Sequence, residues 1–213
     1  MFYKRYIKRI LDIFGALVGI LIFTPLMVAV SVFIKVVSPN GPVLADIPNR
    51  VGKDRKPFRF YKFRSMYPNA HELLKKDKVL YKKYVENNYK LSVDEDPRLI
   101  KGGGFLRKSS IDEFPQFFNV LKGEMSLVGP RAYYFDEVEN QLKKFPEGNN
   151  YIDKALSVKP GITGLWQVSG RSDIGFLNRL KLDAEYADNV SLVYDLKIIL
   201  KTPYVVLLGK GAV

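Results

Sequence analysis

The chain has 213 residues, room for one compact domain with an apolar arm and for a sizeable core. It contains no cysteine and a single histidine, His71, which excludes thiolate catalysis, disulfide scaffolding, cysteine-bound zinc and multi-histidine metal sites. Acids, bases and nucleophiles must therefore come mainly from carboxylates, lysine, tyrosine or hydroxyls. The net charge of +12 is concentrated at the front: residues 1–65 hold twelve lysines and arginines against three aspartates, a net +9. Such a field suits nucleic acid, an anionic membrane face or an anionic small substrate such as a diphosphate.

In chain order, the first element is the apolar run IFGALVGILIFTPLMVAVSVFI, residues 13–34, which carries no charge and is bracketed by Lys8, Arg9 and Asp12 before it and Lys35 after it. At 1.5 Å per residue it is about 33 Å long as a helix, enough for a hydrocarbon core of roughly 30 Å. It exceeds the usual apolar stretch of a signal peptide and lacks a small-residue cleavage site. Thr24 and Pro25 fall at its midpoint, where proline removes an N–H and kinks or breaks a helix. Both flanks are basic, and the positive-inside rule disfavours exporting either. A helix hairpin that enters, turns at Thr24-Pro25 and leaves by the same face satisfies both constraints; a kinked but complete span is the alternative.

Residues 38–66 alternate turn signals with short runs such as FRFYKF, where Phe58, Phe60 and Phe63 pattern as a strand that projects Arg59, Lys62 and Arg64 beside aromatic rings. Residues 69–90 read as a lysine-rich helix or helix pair with an apolar stripe through Leu73, Leu74, Leu80 and Tyr84, and His71 as a surface residue within it. Gly102, Gly103 and Gly104 lack the lysine-hydroxyl ending of a phosphate loop and read as a turn. Near the end, Leu192, Leu196, Ile199 and Leu200 recur at helical spacing, fitting a core helix or one lying on a membrane face.

The segment KSSIDEFPQFFNVLKGEMSLVGPRA, residues 108–132, carries the chemistry. Phe114, Phe117, Phe118 and Leu121 mark an amphipathic helix, and Pro115 confines its start, placing Asp112 near the N-cap and Glu113 in the first turn. On spacing alone, two carboxylates capping a helix are the simpler account. The same N–H groups and helix dipole would also hold Asp112 ionised, as a nucleophile requires. Arg107, Lys108 and Arg131 nearby shift the balance, because arginine grips phosphate oxygens with a planar fork and phosphoryl transfer combines such forks with a divalent metal.

Taken together, KRILD, the hydroxyl-proline pair at Thr24-Pro25, NRVG, FYKFRSM, DPRLIKGGGFLRKSSIDEFPQFFNVLKGEMSLVGPR and VKPGITGLWQVSGR resemble, in order and over nearly the whole chain, the bacterial sugar transferase family of small monotopic phosphoglycosyl transferases. The resemblance implies a mostly helical α+β fold: a re-entrant membrane hairpin over residues 1–36, then a cytosolic catalytic domain over 37–213 with short strands and membrane-surface amphipathic helices. It implies transfer of a sugar 1-phosphate from a UDP-sugar to polyprenol phosphate at the cytoplasmic face of a bacterial inner membrane, with release of UMP and with Mg²⁺ as cofactor. Membrane lipid is then a partner, nucleic acid is not, and a homodimer is allowed. Asp112 would be the nucleophile, with Glu113 holding the metal beside it or managing protons. Lys62, Arg64, Arg107 and Arg131 would lie around the phosphates, with Gln116, Gln167 and Arg171 as further substrate-binding candidates. The motif GLWQVSGRSD looks closer to members that transfer a hexose phosphate. Thr24 stands where the family usually has serine, which keeps the hydroxyl. Ala132 stands where it usually has a second proline, which predicts a looser backbone behind Arg131.

Overall fold

The computed structural model describes residues 3–86, 91–93, 95–170 and 174–207, so Arg171 and the side chain of His71 lie outside the described residues. After a short π-helical turn, Tyr3–Ile7, the chain forms the long helix α1, Lys8–Val37. There follow β1 (Arg50–Val51), β2 (Pro57–Phe58), α2 (Ala70–Lys76), α3 (Lys78–Glu86), α4 (Gly103–Lys108), α5 (Gln116–Lys122), β3 (Ser126–Val128), α6 (Phe135–Lys144), α7 (Asn149–Ala155), β4 (Gly161–Thr163), α8 (Leu165–Ser169), α9 (Phe176–Asp188) and α10 (Leu192–Leu207). The protein is mostly helical, as its sequence predicts, with two small two-stranded sheets among the described residues: antiparallel β1–β2 and parallel β3–β4.

Helix α1 differs from the two-helix hairpin expected at Thr24-Pro25. It is one 30-residue helix that runs through Pro25. The Thr24 hydroxyl donates to the carbonyl of Ile20 at 2.6 Å, a back-bond that tends to bend a helix without ending it. Asp12, Ala16, Gly19, Met27, Val30 and Ile34 are buried and recur at helical spacing, so one stripe faces the body of the protein along nearly the entire helix. At its start Asp12 accepts from Ser126 Oγ and Leu127 N, and Arg9 donates to the terminal carbonyls of α5 at Val120 and Leu121. In the middle Gly19 lies flat against Phe117, where an added Cβ would come within 2.6 Å of the ring. At the far end Met27, Val30 and Ile34 pack with Phe63, Ile100 and Leu106. The opposite face exposes Ile10, Phe14, Leu17, Leu21, Ile22, Val28, Val32 and Val36. This helix is long and apolar enough to cross a membrane.

Three sequence expectations are refined. The FRFYKF run buries Phe58, Phe60 and Phe63, yet only Pro57–Phe58 forms a strand; the rest bonds to α5, to the turn before it and to Ala45, with Phe63 bridging Leu44. The glycines read as a turn at 102–104 instead open α4: Gly102 sits at φ +77°, and a Cβ on Gly103 would meet the carbonyl oxygen of Ser65 at 2.2 Å. In α10, Leu192, Leu196, Ile199 and Leu200 all face outward, while Asp195 and Ile198 are buried. The core alternative for that stripe is therefore set aside.

Candidate active site

Asp112 and Glu113 do not cap α5. They occupy a single 3₁₀ turn, Ile111–Glu113, that leads into it, and Pro115 is the N-cap residue. The N–H groups that a cap would serve are taken by tighter bonds to carbonyls three residues back: Glu113 to Ser110, Phe114 to Ile111, Phe117 to Phe114 and Phe118 to Pro115. With the caps unnecessary, both carboxylates are free for other partners. Their helix-dipole role in the sequence reading is corrected accordingly.

Those partners come from the neighbouring extended segment. Phe63 N donates to the carbonyl of Asp112 at 2.8 Å, Tyr61 N donates to Asn119 Oδ1, and Asn119 Nδ2 donates to the carbonyl of Arg59. This zipper sets Lys62 against the dyad. Its Nζ lies 2.8 Å from Asp112 Oδ2 and 3.5 Å from Glu113 Oε1. Asp112 Oδ2 is thus buried directly against the Lys62 ammonium.

The two carboxylates are not equivalent. Asp112 is 1% exposed, and burial raises its pKa above the ordinary aspartate range against the opposing charges of Lys62 and Arg107. Glu113 is partly open to the cleft. Desolvation pushes its pKa up, but Lys62, the Gln116 carboxamide, Arg131 and Arg50 outweigh it and hold Glu113 below the usual glutamate value. Lys62 and Arg107 thus supply counter-charge at Asp112, and Lys62 and Arg131 at Glu113.

The cleft in front of Glu113 has a volume of about 1550 Å³ and is lined by Arg50, Lys62, Arg107, Arg131 and Arg179 along with Gln116, Glu137, Trp166 and Gln167. Its far wall stands at the C-terminal ends of parallel strands β3 and β4, the usual place for a ligand in such a sheet. Arg131 follows β3, and Trp166 and Gln167 follow β4. The backbone behind Arg131 is firmly held despite Ala132. Arg131 N donates to Asp183 Oδ2, Arg50 donates to the carbonyl of Ala132, and Val51 N donates to that of Tyr133. Arg50 lies 3.2 Å above the Tyr134 ring; burial lowers its pKa to about 10, which leaves it charged at neutral pH.

Of the residues singled out from sequence, Lys62, Asp112, Glu113 and Gln116 converge, and Arg107, Arg131 and Gln167 line the same cleft. Arg64 is different. Its guanidinium donates to Ser38 Oγ, the Ser38 carbonyl and the Pro42 carbonyl, locking the end of α1 to the following loop, so its fork is not free for phosphate. Arg50, Glu137, Trp166 and Arg179 were not selected from sequence as site residues, although the NRVG motif holds Arg50 and GLWQVSGR holds Trp166. The signal is three-dimensional: buried Nε atoms on Arg50, Arg131 and Arg179, Nε1 of Trp166 and Oε1 of Gln167 all lack a hydrogen-bond partner. Four of those five are donors, so the cleft is built for an oxygen-rich anion.

A metal would find two carboxylates here, since no group of three or more acidic or histidine side chains occurs among the described residues. The adjacent carboxylates, Asp112 beside Lys62 and Glu113 open to the cleft, fit Mg²⁺, which commonly takes one or two protein carboxylates and completes its shell with water and substrate phosphates.

A mostly helical protein with one long apolar helix, an acidic dyad paired with a lysine and an arginine-rich cleft has the attributes of a membrane-associated enzyme acting on phosphates. The profile of the bacterial sugar transferase family matches residues 3–209, and the chain belongs to that family. It is 48% identical over 206 residues to the galactosyl transferase CpsE of Streptococcus agalactiae, covering 96% of this chain and 43% of the relative. It is 42% identical over 213 residues to the undecaprenyl-phosphate galactose phosphotransferase of Salmonella typhimurium, covering 98% and 42%. The exopolysaccharide production protein ExoY of Rhizobium meliloti is 36% identical over 206 residues, covering 96% and 87%. The chain thus spans less than half the length of the first two relatives and most of the third.

Proposed function

We propose that this chain is a phosphoglycosyl transferase that moves a hexose 1-phosphate from a UDP-sugar to polyprenol phosphate, producing a polyprenyl-diphosphate sugar and UMP. The observation that carries the reading is the Asp112–Lys62–Glu113 cluster opening onto a cleft of partnerless donors. Asp112 attacks the sugar-bound phosphorus, forming a covalent phosphosugar intermediate as UMP departs, and polyprenol phosphate then attacks that intermediate and frees the carboxylate. Arriving phosphate oxygens compete for Lys62, which draws its ammonium away from Oδ2 and uncovers the nucleophile. Glu113, ionised and facing the cleft, is placed with Asp112 to hold Mg²⁺. The metal, when bound, neutralises phosphate charge in the transition state. Arg107 and Arg131 neutralise charge on the donor's two phosphates from the protein side.

The membrane arrangement is part of this proposal. Helix α1 has about 45 Å of helix length, yet Lys8, Arg9 and Asp12 at one end and Met27, Val30 and Ile34 at the other all engage the same body. A helix tied down at both ends enters one leaflet and keeps both termini on the cytoplasmic side. The exposed apolar stripe of α10 lies on the membrane beside it. Two relatives carry galactose in their names, so UDP-galactose is the first donor to test. The test is UMP release by the purified chain across UDP-galactose, UDP-glucose and UDP-N-acetylgalactosamine, with polyprenol phosphate and Mg²⁺. Release with at least one donor is expected, and silence with all three contradicts the reading.

A further inference from the structure

Arg131 has a companion that no sequence motif announces. Arg179, on α9, lies 5.0 Å from the centre of the Trp166 ring, and Arg131 lies 5.2 Å from the same ring. Both approach one oxygen, Glu137 Oε1, at 3.3 and 3.8 Å. Two guanidiniums therefore share one aromatic ring and one carboxylate. Each keeps a buried Nε without a partner, as does the Trp166 ring nitrogen, and all three residues line the cleft. The mounting is common to both: Asp183, one helical turn after Arg179 on α9, accepts from the backbone N–H of Arg131. Arg179 itself is fixed by Glu137 and by the carbonyl of Ile174, with its side chain only 11% exposed.

We infer that Arg179 is a second phosphate-binding arginine, which with Arg131 and the Trp166 N–H grips the phosphate of the departing nucleotide. This rests on the phosphoglycosyl transfer proposed above. Two independent facts point to that phosphate. The attacked phosphorus must sit at Asp112, where Lys62 and Arg107 already supply positive charge, so the Arg131–Arg179 pair serves the next anion along the cleft. The sugar is uncharged and gives two guanidiniums nothing to neutralise. As the Asp112 oxygen bonds to the sugar-bound phosphorus, the phosphorus–oxygen bond to the nucleotide breaks and its electron pair leaves on the UMP phosphate, whose negative charge grows. Charge appearing there in the transition state is what a preset pair of guanidiniums stabilises.

The experiment compares wild type, R179Q and E137Q for the KM of the UDP-sugar donor, the inhibition constant of UMP and thermal stability. R179Q is expected to raise the UMP inhibition constant and the donor KM about tenfold or more, as for loss of a charge-assisted contact. E137Q keeps both guanidiniums and removes their competing carboxylate, so it should bind UMP at least as tightly as wild type. If Arg179 is only a strut between α6 and α9, the two variants lose stability together and weaken UMP alike, which overturns the inference even where R179Q folds poorly. R179Q with a wild-type UMP inhibition constant overturns it too, while leaving the transfer reaction standing. A wild-type chain that releases no UMP from any donor removes the reaction itself, and this inference with it.

Discussion

Asp183 is fully buried at the base of the arginine pair, and burial raises its carboxyl pKa to about 7 even though Tyr133 Oη, the Arg131 N–H and two guanidiniums all favour its charge. A carboxyl in an unfolded chain ionises near pH 4. Between about pH 4 and pH 7 the unfolded chain therefore sheds a proton that the folded chain keeps, and stability falls as pH rises through that window, by roughly 4 kcal/mol in all. Asp183→Asn retains an acceptor for Tyr133 and Arg131 but cannot ionise. Melting in detergent at pH 5 and pH 8 should show a smaller loss of stability on raising the pH in the variant than in wild type; equal losses would contradict the assignment. Legibility at this scale was uneven. Pro115 confined the start of α5 and so located Asp112 and Glu113, whereas Arg64 looked in sequence like any other arginine of a phosphate site. Only its bonds to Ser38 and Pro42 reveal a lock. Arg179 meets Glu137 across a sequence separation of 42, a pairing that no local pattern encodes.

Among the elements, α1 and α5 depend on small residues. Gly15 and Gly19 on α1 let Leu127 and Phe117 pack directly on the helix backbone, and a Cβ at Gly19 would lie 2.6 Å from the Phe117 ring. Gly19→Val should push α1 off α5, cost about 1–3 kcal/mol through overpacking, and disturb the turn that carries Asp112. A lower melting temperature together with reduced UMP release is expected, and unchanged values for both would show that the helix seats itself differently. The sequence made the length and apolarity of α1 plain, but read Pro25 as the break between two helices where one continuous helix runs through it. Proline removes a single N–H, and a helix supported along its length by Ala16, Gly19, Met27, Val30 and Ile34 can carry that loss. Packing against a distant part of the chain decided the matter, and such packing leaves no local trace.

For the whole molecule, the distribution of charge and apolar surface defines how the protein meets a bilayer. The exposed faces of α1 and α10 are apolar, while the catalytic cleft is lined with arginine. The chain has no native cysteine, so single-cysteine variants report cleanly. Tyr6→Cys and Lys56→Cys flank α1 at exposed positions, and in inverted vesicles both should react with an impermeant maleimide. Labelling of only one would mean that α1 crosses the bilayer. The most direct measurement of the central claim combines Asp112→Asn with intact-protein mass spectrometry after incubation with UDP-sugar and Mg²⁺ but no polyprenol phosphate. Wild type should release UMP and gain the mass of one sugar phosphate on the peptide containing Asp112, while the variant shows neither. UMP release by Asp112→Asn at the wild-type rate would contradict the account.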